Sequence, residues 1–435
     1  MALRPVAWLG QKLLHSRWHP AYLRWTGQRD YVAEYRRFLS EAAERAAPVL
    51  DASVRVSVLM PVRNPNPQWL AEAIDSVRAQ TYPNWELCLC DDASDAHWDA
   101  PADDRIRVAR SPVRLGISGA LNRARTLASG ELLCFLDHDD LLVPRALQAI
   151  VQAGAGFVYS DEDYVDEAGR PVRPHLKPEW SPELLSNCMY VGHPMAVSAE
   201  RFDAVGGFRG EYDGAQDYDL ALRVTRSGAS VAHVPEILYH WRQHARSIAS
   251  DTGAKPYAHG AGRRAAQDAA PDAEVLEDRI PNQYRLRRVG ADAARVSLVI
   301  PGIQLAQTGD LLVFLDPDLR PENRDWLDWM TAQLLRPEVG VVGAKVLAAD
   351  GVVEHAREMV EAEMPFPGLR DPEFWKWLHF TRDVKAVNSS CFGVRREVYE
   401  RLGRPDPAEV CTRARAAGLG VIVEANAVLR RVRFR

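Results

Sequence analysis

Carboxylates clustered directly after an apolar segment are the residues of this chain best suited to chemistry. Residues 130–136 are mainly apolar and are followed at once by Asp137, Asp139 and Asp140. In open α/β folds small ligands bind at the carboxyl ends of the strands, so a buried strand here would place these oxygens at a ligand site. Carboxylate oxygens suit Mg²⁺ or Mn²⁺, which keep coordination positions open for phosphate oxygens. Acids at strand ends are also common in solvated turns, so the pattern needs support from the rest of the chain.

The segments around these acids alternate between short apolar runs and helical patterns. Pro61 is expected to end the first strand, and Asp91 and Asp92 to end the second. Such alternation indicates an α/β fold with a mainly parallel sheet and helices on both faces. The predicted strands lie at 56–60, 85–90, 106–108, 132–136 and 157–160, and the predicted helices at 69–80 and 117–128.

Composition limits the class of protein. The chain has 435 residues, of which 47% are hydrophobic and 26% charged, and this length favours two or three domains. The net charge of -5 gives no general case for nucleic-acid binding. The six cysteines form no CxxC pair, which predicts reduced, buried thiols and a cytoplasmic location.

The first 50 residues predict a helical segment. No apolar run reaches the roughly 18 residues needed to span a bilayer, and the N-terminus lacks a signal-peptide core. A basic, tryptophan-rich stretch between Trp8 and Arg37 could lie on an anionic membrane surface. Residues 1–40 could therefore make peripheral contact with the inner face of the cell membrane. The alternative is a helix packed on the body of the protein.

The chain also repeats itself. Residues 55–61 return as 295–301, and residues 130–139 return as 309–318. The two repeated segments are separated by about 70 residues in the first copy and by fewer than ten in the second. The second copy therefore lacks the counterpart of Asp91 and Asp92. We expect a duplicated domain with a truncated second sheet. The predicted bounds are 1–50 for the helical segment, 51–250 for the first module, 251–290 for a connector with a helix near 258–269, and 291–435 for the second module.

These residues resemble the family 2 glycosyltransferases, which have a GT-A fold. The likeness is greatest to bimodular enzymes of O-antigen and other surface-polysaccharide synthesis. It covers residues 54–247, and its short motifs follow one another in the family's order. They include Asp91-Asp92-Ala93-Ser94, Leu136-Asp137-His138-Asp139-Asp140, Lys177-Pro178-Glu179-Trp180-Ser181-Pro182, Gln216-Asp217-Tyr218-Asp219 and Tyr239-His240-Trp241-Arg242.

The resemblance implies a nucleotide-sugar donor at the strand ends. Asp92 matches the position that binds the nucleobase, where a carboxylate suits the N3–H of uracil or thymine. Relatives commonly have a tyrosine where Arg63 stands, which leaves the identity of the base open. The other implied donor-binding positions are Pro61, Asn64, Asp137 and His138.

The resemblance also implies a Mn²⁺ or Mg²⁺ cofactor. Asp139 matches the metal-binding acid, and Asp137 lies beside it on the ribose or the metal. The ion would stabilise the diphosphate as a leaving group. His240 stands where related enzymes often supply a third ligand, although it could equally be a histidine that closes a strand.

Asp217 matches the family's catalytic base. A carboxylate there would take the proton of an acceptor hydroxyl, which implies a single displacement with inversion. Asp219 is the second candidate, and its alternative role is to support the first turn of a helix. Gly206 and Gly207 would let the backbone approach the acceptor closely, or they form a plain turn.

The second module resembles the same family without its active residues. Pro407 and Arg430 stand at the positions of Asp217 and His240, although Asp316 and Asp318 remain. We therefore expect a non-catalytic module that braces the first, pairs subunits or holds the acceptor glycan. Its aromatic residues could stack on sugars or pack in the core; they are Trp326, Trp329, Phe374, Trp375 and Trp377.

Together these features predict a metal-dependent, inverting glycosyltransferase. It would move a sugar from a UDP- or dTDP-sugar to a hydroxyl of a carbohydrate or lipid-linked glycan in surface-polysaccharide synthesis. A sugar nucleotidyltransferase or a Rossmann oxidoreductase would need a glycine-rich loop after the first strand, where residues 62–67 offer none. The alternative from another class is an inactive, glycosyltransferase-like scaffold or glycan-binding protein.

Overall fold

The fold is described by a computed structural model. The predicted N-terminal helix and its membrane contact lie outside the described residues, apart from Leu39. Within the described part of the chain no helix has the length and apolar character needed to cross a membrane. The structure describes residue 39 and residues 52–244, 256–278, 282–288, 295–303, 308–351, 353–354 and 374–432.

Strands and helices alternate through most of the chain. The strands are β1 (Val56–Val62), β2 (Trp85–Asp92), β3 (Ile106–Ser111), β4 (Leu132–Phe135), β5 (Leu141–Leu142), β6 (Phe157–Val165), β7 (Pro171–His175), β8 (Met195–Ser198), β9 (Val231–Arg242), β10 (Ala273–Glu277), β11 (Tyr284–Arg288), β12 (Val296–Val299), β13 (Leu311–Leu315), β14 (Leu319–Pro321), β15 (Val339–Leu347), β16 (Arg382–Asp383), β17 (Cys391–Arg395) and β18 (Gly420–Arg431). The helices are α1 (Pro67–Arg78), α2 (Gly116–Arg125), α3 (Ala146–Ala153), α4 (Pro182–Asn187), α5 (Ala199–Ala204), α6 (Gln216–Arg226), α7 (Pro256–Ala269), α8 (Trp326–Leu334), α9 (Arg396–Arg401) and α10 (Pro407–Ala416).

The first sheet has the order β3-β2-β1-β4-β8-β6-β9-β5, with β7 paired to β6. Its centre is parallel, since β1 pairs in parallel with both β2 and β4. All seven residues of β1 and all eight of β2 are buried, as a parallel sheet covered on both faces requires. The predicted α/β fold is confirmed, and the carboxyl ends of β1, β2 and β4 meet at one edge.

Local sequence explains the start of the first helix and the end of the first strand. The Asn66 side chain accepts hydrogen bonds from the amides of Gln68 and Trp69, and Pro67 is the first helical residue, so α1 begins two residues before its prediction. The strand continues through Pro61 to Val62, contrary to the prediction. The pairing of β4 with β1 stops at Leu59, so the missing N–H of proline costs no bond to β4.

The second sheet repeats this topology with fewer strands. Its order is β12-β13-β17-β15-β18-β14, with β16 paired to β18. Matched to the first sheet, these strands correspond to β1-β4-β8-β6-β9-β5. Among the described residues the second sheet has no counterparts of β2 and β3, so the predicted truncation of the second sheet is confirmed.

The segment between the sheets is more ordered than its sequence predicted. The expected helix is α7, and an antiparallel hairpin of β10 and β11, which was not predicted, follows it. Ala261, Ala265 and Tyr284 are buried in the core of the first module. This segment therefore extends the first module.

The two modules also share a core. Trp377, Leu378 and Phe380 of the second module are buried in the same cluster as Leu176 and Tyr190 of the first. Trp326 and Trp329 are buried too, at 8% and 5% exposure, so core packing explains these three tryptophans better than sugar stacking. The side chains of Phe374 and Trp375 lie outside the described residues. All six cysteines are buried and free of disulfides, as predicted.

Candidate active site

The predicted acid cluster forms at the end of β4. Asp137, Asp139 and Asp140 can each offer a carboxylate oxygen, and these oxygens lie within 4.8 Å of one another. Asp140 is buried and already satisfied, because it accepts hydrogen bonds from the Tyr239 hydroxyl at 2.7 Å and the Arg242 amide at 2.7 Å. It therefore holds the loop in place, and Asp137 and Asp139 are the ligand candidates.

A histidine other than the predicted His240 contacts this cluster. His240 directs Nδ1 to Asp163 at 2.5 Å, and Nε2 of His244 lies 2.9 Å from Oδ2 of Asp139. His244 stands four residues further along, beyond the end of β9. The assignment of His240 as a metal ligand stays a prediction, and the geometry favours His244. Two carboxylates and an imidazole form a donor set that fits Mn²⁺ and, through its oxygens, Mg²⁺.

A half-buried histidine also lies beside the cluster. The side chain of His193 is 22% exposed, and its ring stacks on Tyr239 with 4.9 Å between centroids. Burial opposes its charge, but the contact with Glu162 and the charges of Asp137 and Asp140 outweigh burial and raise the pKa of His193 to about 9. A positive charge thus stands among the acids at neutral pH.

Glu162 holds that histidine through a buried network. Its carboxylate accepts from the His193 amide at 2.8 Å and lies 2.7 Å from Nδ1 of His175. The ammonium of Lys177 is 3.4 Å away and is fully buried, where it donates to three backbone carbonyls, those of Ser160, Val191 and His193. Sequence reasoning missed His193; its signal was a histidine two residues before β8, at the same sheet edge as the acids.

The acids therefore share a low-dielectric site. Burial raises the pKa of Asp137, with the charge of Asp139 adding to the effect and that of His193 opposing it. Burial also raises the pKa of Asp217, again against the influence of His193. The charge of Asp217 also contributes to raising the pKa of Asp137. His193 thus influences both the predicted metal-binding loop and the predicted base through its charge.

Asp217 and Asp219 have different environments on α6. Asp217 is the second residue of the helix and is half-buried; its carboxylate accepts a hydrogen bond from the Tyr218 amide at 2.8 Å. Asp219 is 1% exposed and is paired with Arg223 at 2.6 Å and with Arg209. Two guanidinium groups bind the carboxylate of Asp219, whereas Asp217 is half-buried, so the geometry favours Asp217 as the candidate base.

The loops after β1 and β2 are joined to each other. The side chain of Asn64 bonds the carboxylate and the amide of Asp95, both at 2.8 Å, and Arg63 donates to the carbonyl of Asp92 at 3.2 Å. Asp92 is 4% exposed, and its carboxylate accepts from the amides of Leu115 and Gly116 at the start of α2. These contacts shape the predicted nucleobase pocket. Pro61 is the sixth residue of β1, and His138 lies three residues beyond the end of β4; their roles at the donor stay predictions.

Gly206 and Gly207 form a turn with a steric requirement. Their φ angles are 81° and 67°, the left-handed region that favours glycine. A Cβ on Gly207 would lie 2.7 Å from Oδ1 of Asn122, which is itself fixed by hydrogen bonds to the backbone of Phe208. The turn thus packs tightly, and its role at the acceptor stays a prediction.

The corresponding acids of the second module are neutralised by an arginine. Arg431 donates to both carboxylate oxygens of Asp318, at 2.8 and 2.6 Å, and lies 3.7 Å from Asp316. At the position of His240, Arg430 pairs with Glu322 at 2.7 Å. An acid pair bound in this way is not a metal site.

Comparison with known proteins agrees with this geometry. Residues 57–178 match the family model described as glycosyl transferase family 2. The chain is 30% identical to an uncharacterized protein, y4gI, of Sinorhizobium fredii over 91% of this chain and 54% of the relative. It is 30% identical to the O-antigen biosynthesis protein RfbC of Myxococcus xanthus over 88% of this chain and 38% of the relative.

A further relative has a defined reaction in its name. The chain is 32% identical to the UDP-Glc:alpha-D-GlcNAc-diphosphoundecaprenol beta-1,3-glucosyltransferase WfgD of Escherichia coli, over 31% of this chain and 56% of the relative. The chain spans about half the length, or less, of these curated relatives.

Proposed function

Since residues 57–178 match the model of glycosyl transferase family 2, we propose that the first module transfers a sugar from a nucleotide-sugar donor, with UDP- and dTDP-sugars favoured, to a hydroxyl of a glycan or lipid-linked glycan in surface-polysaccharide synthesis. The observation that carries the proposal is the contrast between the modules. In the first module His244 contacts Asp139, and the charges of His193 and Asp217 act on Asp137, whereas Arg431 binds the equivalent acids of the second module.

The donor would bind along the edge formed by β1, β2 and β4. Asp92 lies at the end of β2, in the pocket predicted for the base, and Asp137 and Asp139 lie at the end of β4 next to the diphosphate. A Mn²⁺ or Mg²⁺ ion held by Asp137 and Asp139, with His244 beside them, would act as a Lewis acid on the leaving diphosphate. The charge of His193 is placed to attract the same phosphates.

Asp217 would act as the general base. Its carboxylate takes the proton from the acceptor hydroxyl as that oxygen attacks the anomeric carbon, and the nucleoside diphosphate leaves from the opposite face. The product therefore has the inverted anomeric configuration. Burial raises the pKa of Asp217, which brings it nearer to the operating pH and makes it a stronger base.

Nucleotide release from a panel of UDP-, dTDP- and GDP-sugars tests the proposal. With Mn²⁺ or Mg²⁺ present, one donor should be hydrolysed slowly, and Asp139→Asn should reduce the rate by roughly 100-fold or more, because the metal supplies several kcal/mol. Asp318→Asn is the matched control, because Asp318 is the acid of the second module equivalent to Asp139, and its rate should equal that of wild type.

The proposal would be contradicted if no donor in the panel released its nucleotide and calorimetry detected no metal-dependent binding of any nucleotide. The scaffold or glycan-binding alternative would then stand. A loss of activity in Asp318→Asn equal to that in Asp139→Asn would contradict the assignment of catalysis to the first module.

A further inference from the structure

A cleft lies where the two modules meet, apart from the acid cluster. It has a volume of about 200 Å³ and is lined on one side by Trp180 and Ser181 of the first module. On the other side it is lined by Asp383, Lys385 and Arg415 of the second. Small-molecule pockets usually exceed roughly 300 Å³. This cleft is smaller, so it suits a larger ligand that places one part in the cleft and extends beyond it into solvent.

The lining has the chemistry of a sugar site. Trp180 is half-buried, and its ring is held by Tyr190 and Tyr159, with ring centroids 6.5 and 6.4 Å away, while the tryptophan still lines the cleft. A fixed aromatic ring offers a flat apolar surface to the apolar face of a sugar. Lys385 and Arg415 are exposed at the rim and can donate hydrogen bonds to hydroxyl or carboxylate oxygens.

The second module shapes this cleft through defined contacts. The carboxylate of Asp383 accepts from the Ser181 hydroxyl at 2.8 Å and from the Glu183 amide at 3.1 Å. The Asp383 amide in turn donates to the Ser181 hydroxyl at 3.0 Å. These bonds fix the start of α4 against the second module. The two walls of the cleft are therefore held in a fixed position relative to each other.

The cleft lies close to the helix that bears the proposed base. Ser181 precedes α4, and at the other end of α4 the Tyr218 hydroxyl donates to the Ser186 carbonyl at 3.0 Å. Tyr218 follows Asp217 in the chain. The six residues of α4 span about 9 Å at 1.5 Å per residue, so a continuous path of contacts runs from the cleft along α4 and through Tyr218 to the helix that bears Asp217.

We propose that this cleft is a remote subsite for the acceptor glycan, which holds a sugar one or two units away from the hydroxyl that reacts at Asp217. The inference rests on the proposed function for the identity of the ligand as an acceptor. It also assigns a role to the second module, which has lost its own active residues but supplies half of the cleft.

Binding to a printed array of oligosaccharides released from bacterial surface polysaccharides tests the inference on the full chain. Wild type should bind a subset of the oligosaccharides, and Trp180→Ala should weaken that binding roughly tenfold or more, since one stacking contact is worth a kcal/mol or so. Trp180→Phe, which keeps a flat ring, should restore most of it. Lys385→Glu and Arg415→Glu, both at exposed positions, should also weaken it, and Arg404→Ala outside the cleft should not.

Metal-dependent nucleotide binding is measured in parallel by calorimetry, and it should be unchanged in all five variants. Nucleotide binding without any oligosaccharide binding by wild type would overturn the subsite alone. Unaltered oligosaccharide binding in Trp180→Ala and in both charge reversals would also overturn it. Oligosaccharide binding that depends on Trp180, in a chain that binds no nucleotide, would instead contradict the proposed transferase and leave a glycan-binding protein.

Discussion

At the scale of single residues, the two modules show what an Asp-x-Asp sequence needs beyond its own carboxylates. Both copies place the acids at the end of an equivalent strand. In the first, Trp241 stands at the position of Arg431, and the arginine that follows it, Arg242, donates to Glu72, to the Asp139 carbonyl and to the Glu167 carbonyl. In the second, Arg431 reaches the acids themselves. The motif is present in both modules, and the ion pair with Arg431 is what distinguishes the second module's acids from the candidate metal site of the first.

Substitutions should distinguish the roles of the two acids of α6, Asp217 and Asp219. Asp217→Asn should lower sugar transfer about 10²–10⁴-fold through loss of the general base, and its free energy of unfolding should change little, since the group is half-buried. Asp219→Asn should instead cost about 3 kcal/mol or more of stability, because it weakens a buried carboxylate held by Arg209 and Arg223. Transfer rates and urea unfolding of both variants check this.

The reverse pattern would contradict the assignment of the base. If Asp219→Asn folds with wild-type stability and loses transfer, while Asp217→Asn retains it, the general base is Asp219.

The sequence predicted some of these residues and could not predict others. Asp137, Asp139 and Asp217 were identified because resemblance fixes positions along the chain. His193 and His244 were missed because their importance comes from neighbours distant in sequence, Glu162 and Asp139 respectively. The roles of Asp140 and Asp219 as structural acids also depend on partners that only the fold brings close.

At the scale of elements, the turn after α5 depends on two glycines with unequal surroundings. Gly206→Ala should cost about 1 kcal/mol for its positive φ, since nothing lies within 4 Å of the added Cβ. Gly207→Ala should cost about 3 kcal/mol, because its Cβ would also meet Asn122 at 2.7 Å and Phe202 at 3.0 Å. Urea unfolding of the two variants measures the difference. Equal losses in the free energy of unfolding would show that the Asn122 side chain moves away from the added Cβ without an energetic penalty.

The contact between β16 and α4 should give a pH-dependent stability. Burial, with the nearby charge of Glu183, raises the pKa of Asp383 to about 6 from its usual 3.8. The folded state then binds a proton more tightly than the unfolded state, so this group lowers stability as the pH rises from about 4 to about 6 and adds a constant cost above that. Asp383→Asn keeps a carbonyl acceptor and cannot ionise.

The Tm of Asp383→Asn should therefore rise relative to wild type between pH 4 and pH 6, and the difference should stay level at higher pH. Asp75→Asn on the exposed surface of α1 is the control, and its difference from wild type should show no step in this window. If the difference in Tm between Asp383→Asn and wild type also showed no dependence on pH, the pKa of Asp383 would not be raised in the folded protein.

Elements were predictable where one physical signal was strong. Buried parallel strands such as β1 and β4 appear as apolar runs, and α1 has a capping asparagine and proline. The hairpin of β10 and β11 escaped prediction because its strands carry Ala, Glu and Arg and take their burial from α7. Strands β7 and β16 are short pairings that follow from the fold of their neighbours.

At the scale of the whole molecule, duplication produced one physical unit in place of two independent domains. The second copy lost the counterparts of β2 and β3 and gave up its own acids to Arg431. It nevertheless contributes Trp377 and Phe380 to the core that lies under Tyr190 and Leu176 of the first module. The buried ion pair of Arg336 with Glu183, at 2.6 Å, crosses the same boundary.

Such a shared core predicts that both modules unfold together. Calorimetry of wild type should show a single transition whose calorimetric and van't Hoff enthalpies agree. Trp377→Ala should lower stability by about 3–5 kcal/mol, since it empties a buried site between the modules, and it should split the transition in two by uncoupling them. Trp326→Ala, in the separate core of the second module, should lower stability without separating the first module's transition in the same way. Two transitions already in wild type, with the first unmoved by Trp377→Ala, would mean that the first module is stable alone and that the second serves it only through the cleft.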